Sequence, residues 1–291
     1  MMKRIFIAIA GLFIVMLVVL AIVLRPMLSH QSPPGEAFLE AHPHRLSVLT
    51  WNTARMGGFA KPEANRVLKM LLKQDADVIC LQEVDVYKDE KYLTLGDVKR
   101  TLGKKYKYSY IDFAIYNKRH QFGTMVWSKY PLINKQTIQY ESRGNISNQC
   151  DVVVGADTIR LMNNHLESYS FTAADLDDLA HVRDKWERAT PIRNAQARKV
   201  REKVEASPYP VIVVGDFNAS PLSFAYRYIR KGMHDAWLET SWLKWGATCH
   251  KRGFGVRIDY ILSSPELVPV SCTIEPTNAS DHYPMTATLA W

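Results

Sequence analysis

Short apolar runs alternate with polar, turn-forming segments along most of the chain, which is the pattern of strands interleaved with helices. Residues 46 to 52, LSVLTWN, predict a buried strand, and residues 64 to 76 place apolar side chains at helical spacing. A further apolar run, DVICLQEV at residues 77 to 84, follows directly. Together these segments predict a strand, helix, strand unit.

The second half of the chain is richer in predicted strands than in helices. Apolar runs bounded by turn residues predict strands at FGTMVWSKYPL, CDVVVG, TIRLMNNHL, PVIVVGDFN, RIDYILS and YPMTATLAW. The charged stretch over residues 171 to 207 predicts mostly helix, with Pro191 in the first turn of a helix. Strands that alternate with helices but also follow one another directly indicate two packed mixed sheets covered by helices.

The N-terminal residues form an unbroken apolar run from Ile5 to Leu24. At about 1.5 Å per residue, a helix over this run spans about 30 Å, the thickness of the hydrocarbon core of a bilayer. We therefore expect residues 1–29 to form a membrane anchor with one N-terminal transmembrane helix. A cleaved signal peptide is the alternative interpretation.

The charges around this run predict the orientation of the protein. Lys3 and Arg4 precede the run, which favours a cytoplasmic N-terminus and places the rest on the periplasmic or extracytoplasmic side. The polar, proline-bearing residues 30–44 predict a linker, and residues 45–291 are long enough for one large catalytic domain.

Composition adds few constraints to this pattern. With 47% hydrophobic and 23% charged residues the chain is an ordinary globular protein, which excludes a disordered one. The net charge of +8 favours a phosphate-bearing partner without specifying which. The cysteines lack the spacing of a structural zinc site, Cys80 has the setting of a buried free thiol, and disulfide pairing stays open. The four cysteines are Cys80, Cys150, Cys249 and Cys272.

Acidic and amide side chains recur at the ends of the predicted strands. They are Asn52, Glu83, Asp216, Asn218 and Asp259. Burial of several such groups is costly unless they hold a hard cation, one another or a bound anion. On an extended backbone Asp216 and Asn218 would point to the same side and hold one water or phosphoryl oxygen, whereas an Asx-turn is the alternative.

The motifs LTWN, LQEV, NNHL, GDFN, RIDYIL and SDHYP occur in this order over essentially the whole predicted domain. In this order they resemble the endonuclease/exonuclease/phosphatase, or DNase I-like, superfamily, here as a membrane-anchored bacterial branch. The resemblance implies a four-layer α/β sandwich of two packed mixed β-sheets with the site at one edge. It also implies a phosphoester hydrolase that depends on Mg²⁺ or Mn²⁺, in which water attacks phosphorus.

The resemblance also implies roles for individual residues. Glu83 would be the principal metal ligand, with Asn52 beside it and Asp281 as a further ligand. Asp216 would orient the attacking water together with Asn218. Oxygen donors of this kind suit a hard divalent cation.

Two histidines would complete the catalytic set. His282, held by Asp259, would contact the reacting phosphate as the acid/base group. His165 would donate hydrogen bonds to the phosphate or protonate the leaving oxygen, and its presence argues against repair of abasic sites. Strand alternation favours Asn163 over Asn164 on the same face as His165, where it would bind substrate.

Several questions stay open at the level of sequence. The substrate can be a nucleic acid, a nucleotide or a phospholipid headgroup, and no obligate protein partner is inferred. The alternative function is a catalytically silent, membrane-tethered binding domain of the same fold. Leu238, Trp242 and Trp245 stand at helical spacing, which predicts core packing, with contact to a bilayer surface as the alternative.

Overall fold

The computed structural model describes residues 11–21, 25, 28–170, 175, 178–251 and 254–291. The described strands are β1 (Leu28–His30), β2 (Arg45–Asn52), β3 (Val78–Tyr87), β4 (Tyr108–Tyr116), β5 (His120–Ser128), β6 (Leu132–Gln139), β7 (Ile146–Val154), β8 (Asp157–His165), β9 (Val211–Asp216), β10 (His234–Asp235), β11 (Trp242–Trp245), β12 (Cys249–Lys251), β13 (Phe254–Val256), β14 (Asp259–Ser263), β15 (Val268–Ile274) and β16 (Met285–Ala290). The labelled helices are α1 (Glu36–Ala41), α2 (Arg66–Lys73), α3 (Leu95–Leu102), α4 (Leu179–Glu205), α5 (Phe224–Arg230) and α6 (Ala236–Thr240), and Arg55–Gly57 form a 3-10 turn.

Most strands belong to two six-stranded sheets. The first sheet has the order β15-β16-β2-β3-β5-β4, and the second has the order β10-β14-β9-β8-β7-β6. Within each sheet one pair is parallel, β2 with β3 and β8 with β9, and the other pairs are antiparallel. Both sheets are therefore mixed, as the sequence predicts.

The two sheets face each other across a buried apolar core. Val48 and Val126 of the first sheet pack there with Leu161, Val214 and Ile261 of the second. Strand alternation sends the neighbouring side chains to the outer faces, which need their own cover. Helices α2 and α3 cover the outer face of the first sheet, and α4 and α5 cover that of the second. The four-layer α/β sandwich is thus present.

Two predictions about the helices are wrong in detail. Pro191 lies inside α4 and does not begin a helix. Proline has no backbone N–H, so one helical hydrogen bond is missing at this position. The helix nevertheless continues, because Ala197 and Val200 in its C-terminal half are buried against the second sheet. The predicted helical spacing after Leu238 also fails, because α6 ends at Thr240 and residues 242–245 form a strand.

The predicted membrane anchor falls partly outside the described residues. Residues 11–21 are helical and exposed, whereas residues 5–10 and 22–24 of the predicted span are not described. Across the described parts of the chain, no helix has both the length and the apolar character needed to span a bilayer. The predicted linker contains α1, and β1 pairs with β11. All four cysteines are free and buried.

Candidate active site

The sheet topology brings the polar strand ends together at one edge of the sandwich. Asn52 ends β2, Glu83 lies in β3, and these strands are parallel. His165 and Asp216 end the other parallel pair, β8 and β9, and are neighbours in register. Asp259 at the start of the antiparallel β14 stands opposite Asp216. The carboxyl ends of parallel strands meet at the same edge, so side chains far apart in sequence converge there.

Gly215, just before Asp216, permits the close approach of β8 and β9. Its φ is +127°, and a Cβ at this position would lie 2.0 Å from the backbone oxygen of Asn164. Only glycine fits such a conformation next to a neighbouring backbone. The glycine of the GDFN motif is therefore a packing requirement that sets the position of Asp216.

Glu83 is turned towards the site by an irregularity in its strand. The register with β5 shifts between Leu81 and Val84, and Glu83 itself has a φ of +49°. A bulge of this kind re-aims a side chain at the end of a ladder. The Asn52 Nδ2 group then donates to Glu83 Oε1 at 3.0 Å and to Asp216 Oδ2 at 2.8 Å, which bridges the two sheets.

His165 lies beside Glu83 and Asp216, and its ring nitrogens lack hydrogen-bond partners among the described residues. Its Nε2 atom is 3.6 Å from Glu83 Oε1. A buried polar group without a partner is costly, so such a group points to a ligand. Glu83, His165 and Asp216 can offer ligand atoms that all lie within 4.8 Å of one another.

The predicted pairing of His282 with Asp259 is present. His282 Nδ1 lies 2.9 Å from Asp259 Oδ2, both side chains are buried, and His282 Nε2 lies 3.9 Å from Asp216 Oδ2. Burial alone lowers the pKa of His282, but the charges of Asp259 and Asp216 outweigh it and raise the pKa well above its ordinary value. The imidazole therefore favours its protonated form.

The pKa of Asp216 is also raised, although for a carboxyl group this shift disfavours the charged form. Burial raises its pKa, and the neighbouring charge of Asp259 raises it further, whereas His282, His165 and the Asn52 hydrogen bond lower it. The net shift is upward. A carboxylate with a raised pKa is a better proton acceptor than an ordinary aspartate.

The predicted geometry of Asp216 and Asn218 is wrong. Strand β9 ends at Asp216, Asn218 has a φ of +49°, and its backbone N–H donates to Asp216 Oδ1 at 2.8 Å. The Asx-turn is therefore the observed arrangement. Asn218 Nδ2 donates to the backbone oxygen of Leu166 at 2.9 Å, so this side chain ties together the loops that follow the two strands.

Of the other predicted site residues, Asn52 joins two members of this cluster, whereas Asn163 and Asp281 lie outside it. Asn163 is fully buried and accepts from Gln82 Nε2 at 2.6 Å, one layer beneath His165. Asn52 Oδ1 accepts from the Ala54 N–H, so the amide contacts the carboxylates through its nitrogen. Asp281 forms a candidate ligand group with His282 and the buried Cys249, and this group does not include Glu83.

A buried arginine that the sequence did not point to holds the site together. Arg193 Nη1 donates to the backbone oxygen of Glu167 at 3.0 Å and also to that of Asn218. These carbonyls belong to the loops after His165 and Asp216. Arg193 lies in a charged helical stretch with many basic residues, so nothing in the pattern distinguishes it from its solvent-exposed neighbours.

The cluster fits a divalent cation. Glu83 and Asp216 supply carboxylate oxygens, which Mg²⁺ and Mn²⁺ prefer, and His165 supplies a nitrogen that has no described partner. Asp259 Oδ1 is also buried without a described partner. A bound cation or phosphate would supply partners for these buried atoms.

Comparisons with solved structures identify the same fold. The endonuclease/exonuclease/phosphatase from Beutenbergia cavernae superimposes with a TM-score of 0.62 at 17% identity, covering 84% of this chain and 71% of that one. Truncated Caenorhabditis elegans TDP2 gives 0.62 at 22% identity, with 86% and 99% covered. Sphingomyelinase C from Streptomyces griseocarneus gives 0.56 at 16% identity, with 84% and 99% covered. At these identities the similarity concerns the fold alone.

Sequence comparison extends the result. A Neurospora crassa protein, the CCR4-Not complex 3'-5'-exoribonuclease subunit Ccr4, is 24% identical over 267 residues. That match covers 65% of this chain but spans only about a third of the relative, 32% of its length. Residues 49–282 match the model of the Endonuclease/Exonuclease/phosphatase family. This range contains all the candidate site residues from Asn52 to His282. The chain therefore belongs to the Endonuclease/Exonuclease/phosphatase family.

Proposed function

We propose that this protein hydrolyses phosphodiesters with the help of a divalent cation. The observation that carries the proposal is the convergence of Glu83, His165 and Asp216 within 4.8 Å, next to a histidine that Asp259 orients. The resemblance noted above and family membership are consistent with it. The pairing of His282 with Asp259 next to Asp216 supplies proton donors and acceptors that binding alone would not require.

Asp216 and His282 divide the proton chemistry between them. Asp216, with its raised pKa, accepts the proton of the attacking water. His282, protonated because Asp259 and Asp216 raise its pKa, donates from Nε2 to a phosphoryl oxygen on which negative charge grows. Phosphoryl transfer depends on such placement and charge stabilisation more than on a covalent nucleophile.

His165 and Glu83 complete the proposed site. His165 offers a hydrogen-bond donor to the phosphate or to the leaving oxygen, because its ring nitrogens are not committed to described protein groups. Glu83 would hold Mg²⁺ or Mn²⁺, and Asn52, which donates to both carboxylates, would keep Asp216 beside the bound ion. The bound cation would neutralise part of the charge on the phosphate.

The test is hydrolysis by the purified full-length protein of a panel of phosphoesters, with and without chelator. The panel contains an oligonucleotide, a nucleotide, a phospholipid and a small synthetic diester. We expect activity that requires Mg²⁺ or Mn²⁺ and that falls by about a hundredfold or more in Asp216→Ala and His282→Ala. His44→Ala, which changes an exposed histidine, is the matched control. Unchanged turnover in either site variant contradicts these roles.

We also propose that the catalytic domain is tethered to a membrane and lies on the extracytoplasmic side. The support is the sequence alone: the apolar run Ile5–Leu24 and the basic residues Lys3 and Arg4 before it. We expect the full-length protein to stay in the membrane fraction after an alkaline wash. Release into the soluble fraction contradicts the tether.

A further inference from the structure

A basic and aromatic surface adjoins the proposed site at the ends of β3 and β5. Asp85 stands opposite Phe122 in the ladder, and Tyr87 stands opposite His120. Val84 and Val86 pack in the apolar cluster on the outer face of the first sheet, so alternation turns Asp85 and Tyr87 towards its inner face. The surface is therefore a continuation of the site along the inner face of the first sheet.

A fully buried carboxylate organises this surface. Asp85 Oδ2 accepts from Arg55 Nε at 2.9 Å, and Asp85 Oδ1 lies 2.6 Å from His120 Nδ1. The Arg55 side chain is nevertheless 61% exposed, and its Nη groups make no hydrogen bond to the described residues. The buried carboxylate of Asp85 thus holds the Arg55 guanidinium in place through Nε. The two Nη groups remain available to bind a phosphate.

Exposed aromatic rings stand beside these basic groups. The rings of Phe59, Tyr87 and Tyr92 contact one another with centroids 5.1 to 5.5 Å apart, and Tyr87 stacks on His120 at 5.8 Å. Phe59 is 59% exposed and Tyr92 is 39% exposed. Rings that are fixed by one another and open to solvent on one side can stack on a planar ligand at little entropic cost.

The surface reaches the reacting centre through one ring. The Phe122 ring lies with its centroid 6.4 Å from that of His165, and the Arg55 guanidinium carbon lies 5.9 Å from the Phe122 centroid. A ligand with a group at the reacting centre and a neighbouring charged group can therefore contact His165 and Arg55 together.

The backbone that carries Arg55 is held in an unfavourable conformation. Ala54, Arg55 and Met56 all have positive φ values, between 43° and 61°, although none is glycine. A positive φ is unfavourable for such residues and persists only where the surroundings fix it. Here Asp85 holds the Arg55 side chain, and Asn65 Nδ2 donates to the Met56 backbone oxygen at 2.9 Å.

We propose that Arg55, His120, Phe59 and Tyr92, organised by Asp85 and called here the basic–aromatic shelf, bind the nucleotide next to the scissile phosphate. Arg55 and His120 would contact its phosphate, and Phe59 and Tyr92 would stack on its base. The substrate class is then single-stranded nucleic acid. This inference rests on the proposed function only for the position of the scissile phosphate.

The chemistry of the shelf favours a nucleic acid over a phospholipid headgroup. A headgroup of the sphingomyelin or phosphatidylserine type carries one phosphate, which the reacting centre already takes, and it offers no planar ring. Each nucleotide of a polynucleotide carries both a phosphate and a base. The exposed donors of the shelf can therefore bind the phosphate while its exposed rings stack on the base. The net charge of +8 agrees with a polyanionic ligand.

The first experiment measures binding without catalysis. Full-length protein in chelator is titrated into a fluorescent single-stranded oligonucleotide, and anisotropy gives Kd. We expect Arg55→Ala and Phe59→Ala each to weaken binding about tenfold, with Arg55→Ala also reducing the dependence of log Kd on log salt by about 0.7. Arg100→Ala, which removes an arginine that is 73% exposed on α3, is the matched control and keeps the affinity. Phe59 is exposed, so its variant tests the shelf without a risk of misfolding.

The second experiment separates the shelf from the proposed chemistry. Hydrolysis of the oligonucleotide is compared with that of bis(p-nitrophenyl) phosphate. We expect Arg55→Ala to raise KM for the oligonucleotide by a factor about ten times larger than the factor for the small diester. Equal effects on both substrates, or unchanged oligonucleotide binding in both shelf variants, overturn the inference. Loss of binding to phosphatidylserine vesicles, with oligonucleotide binding intact, also overturns it. Shelf-dependent binding with no hydrolysis of either substrate instead refutes the proposed function.

Discussion

The pairing of His282 with Asp259 offers the sharpest test of the proposed chemistry. Asp259→Asn keeps the size of the side chain but removes its charge. His282 Nδ1 lies 2.9 Å from the carboxylate, and both groups are buried, so solvent cannot replace the lost interaction. A hydrogen bond to a charged group is worth about 1.5–3 kcal/mol. If that stabilisation is needed in the transition state, kcat/KM falls about ten- to a hundredfold.

A second effect acts in the same direction. The charge of Asp259 contributes to the raised pKa of Asp216, after burial, so its removal makes Asp216 a weaker proton acceptor. We therefore expect the loss to appear in kcat. Because both effects act through one network, Asp259→Asn added to His282→Ala should cost less than the two separate losses combined.

The assay is steady-state hydrolysis of a small diester at saturating Mg²⁺, with urea unfolding as a check that each variant is folded. The matched control is Asp157→Asn, which neutralises the carboxylate of another histidine pair, 3.0 Å from His44, on the exposed surface. That variant should retain full activity. Wild-type kcat/KM in a folded Asp259→Asn protein would refute the reasoning.

Three further predictions concern stability. Gly215→Ala forces a Cβ against the Asn164 carbonyl at a positive φ, so the free energy of unfolding in urea should fall by about 2–4 kcal/mol; an unchanged midpoint contradicts this. The hydrogen bond to Glu239 raises the pKa of His234, although burial opposes it. This raised folded-state pKa stabilises the protein fully below the unfolded value of about 6.5 and is lost as pH rises through the folded pKa. Glu239→Gln should therefore lower the urea midpoint below that pH and have little effect in alkaline solution, and a pH-independent difference contradicts the assignment. Mg²⁺ or Mn²⁺ should raise Tm with concentration, and Glu83→Gln should reduce that increase; an equal increase in both proteins contradicts the ligand role.

The strands that form the inner core are the part of the fold most accessible from sequence. The predicted strand at 46 to 52 is observed as Arg45–Asn52, and the GDFN strand is observed as Val211–Asp216. Their residues are apolar on both faces, which is the signature of a strand covered on both sides. Strand β4 was not predicted, although YSYIDFAIY is rich in strand-forming residues; it lies at the edge of the first sheet, where most of its side chains are half-buried.

The composition of the site could be predicted for a similar reason. Carboxylates, amides and histidines at the ends of buried strands are rare without a ligand, so Glu83, His165, Asp216 and His282 are visible in the sequence. Their geometry is not. The positive φ of Glu83 and the turn at Asn218 depend on the register of neighbouring strands, and no local pattern in the chain encodes that register.

The sequence by itself determined the family, the order of the buried strands and the chemical types at their ends, because periodicity and motif spacing are local properties. Only the tertiary structure decided that Asn52 bridges two carboxylates, that Arg193 ties two loops, and that Arg55 stands beside Asp85. These contacts join residues that are 25 to 164 positions apart in the chain. They exist only after the two sheets have packed, since packing fixes both the distances and the burial that give the contacts their strength.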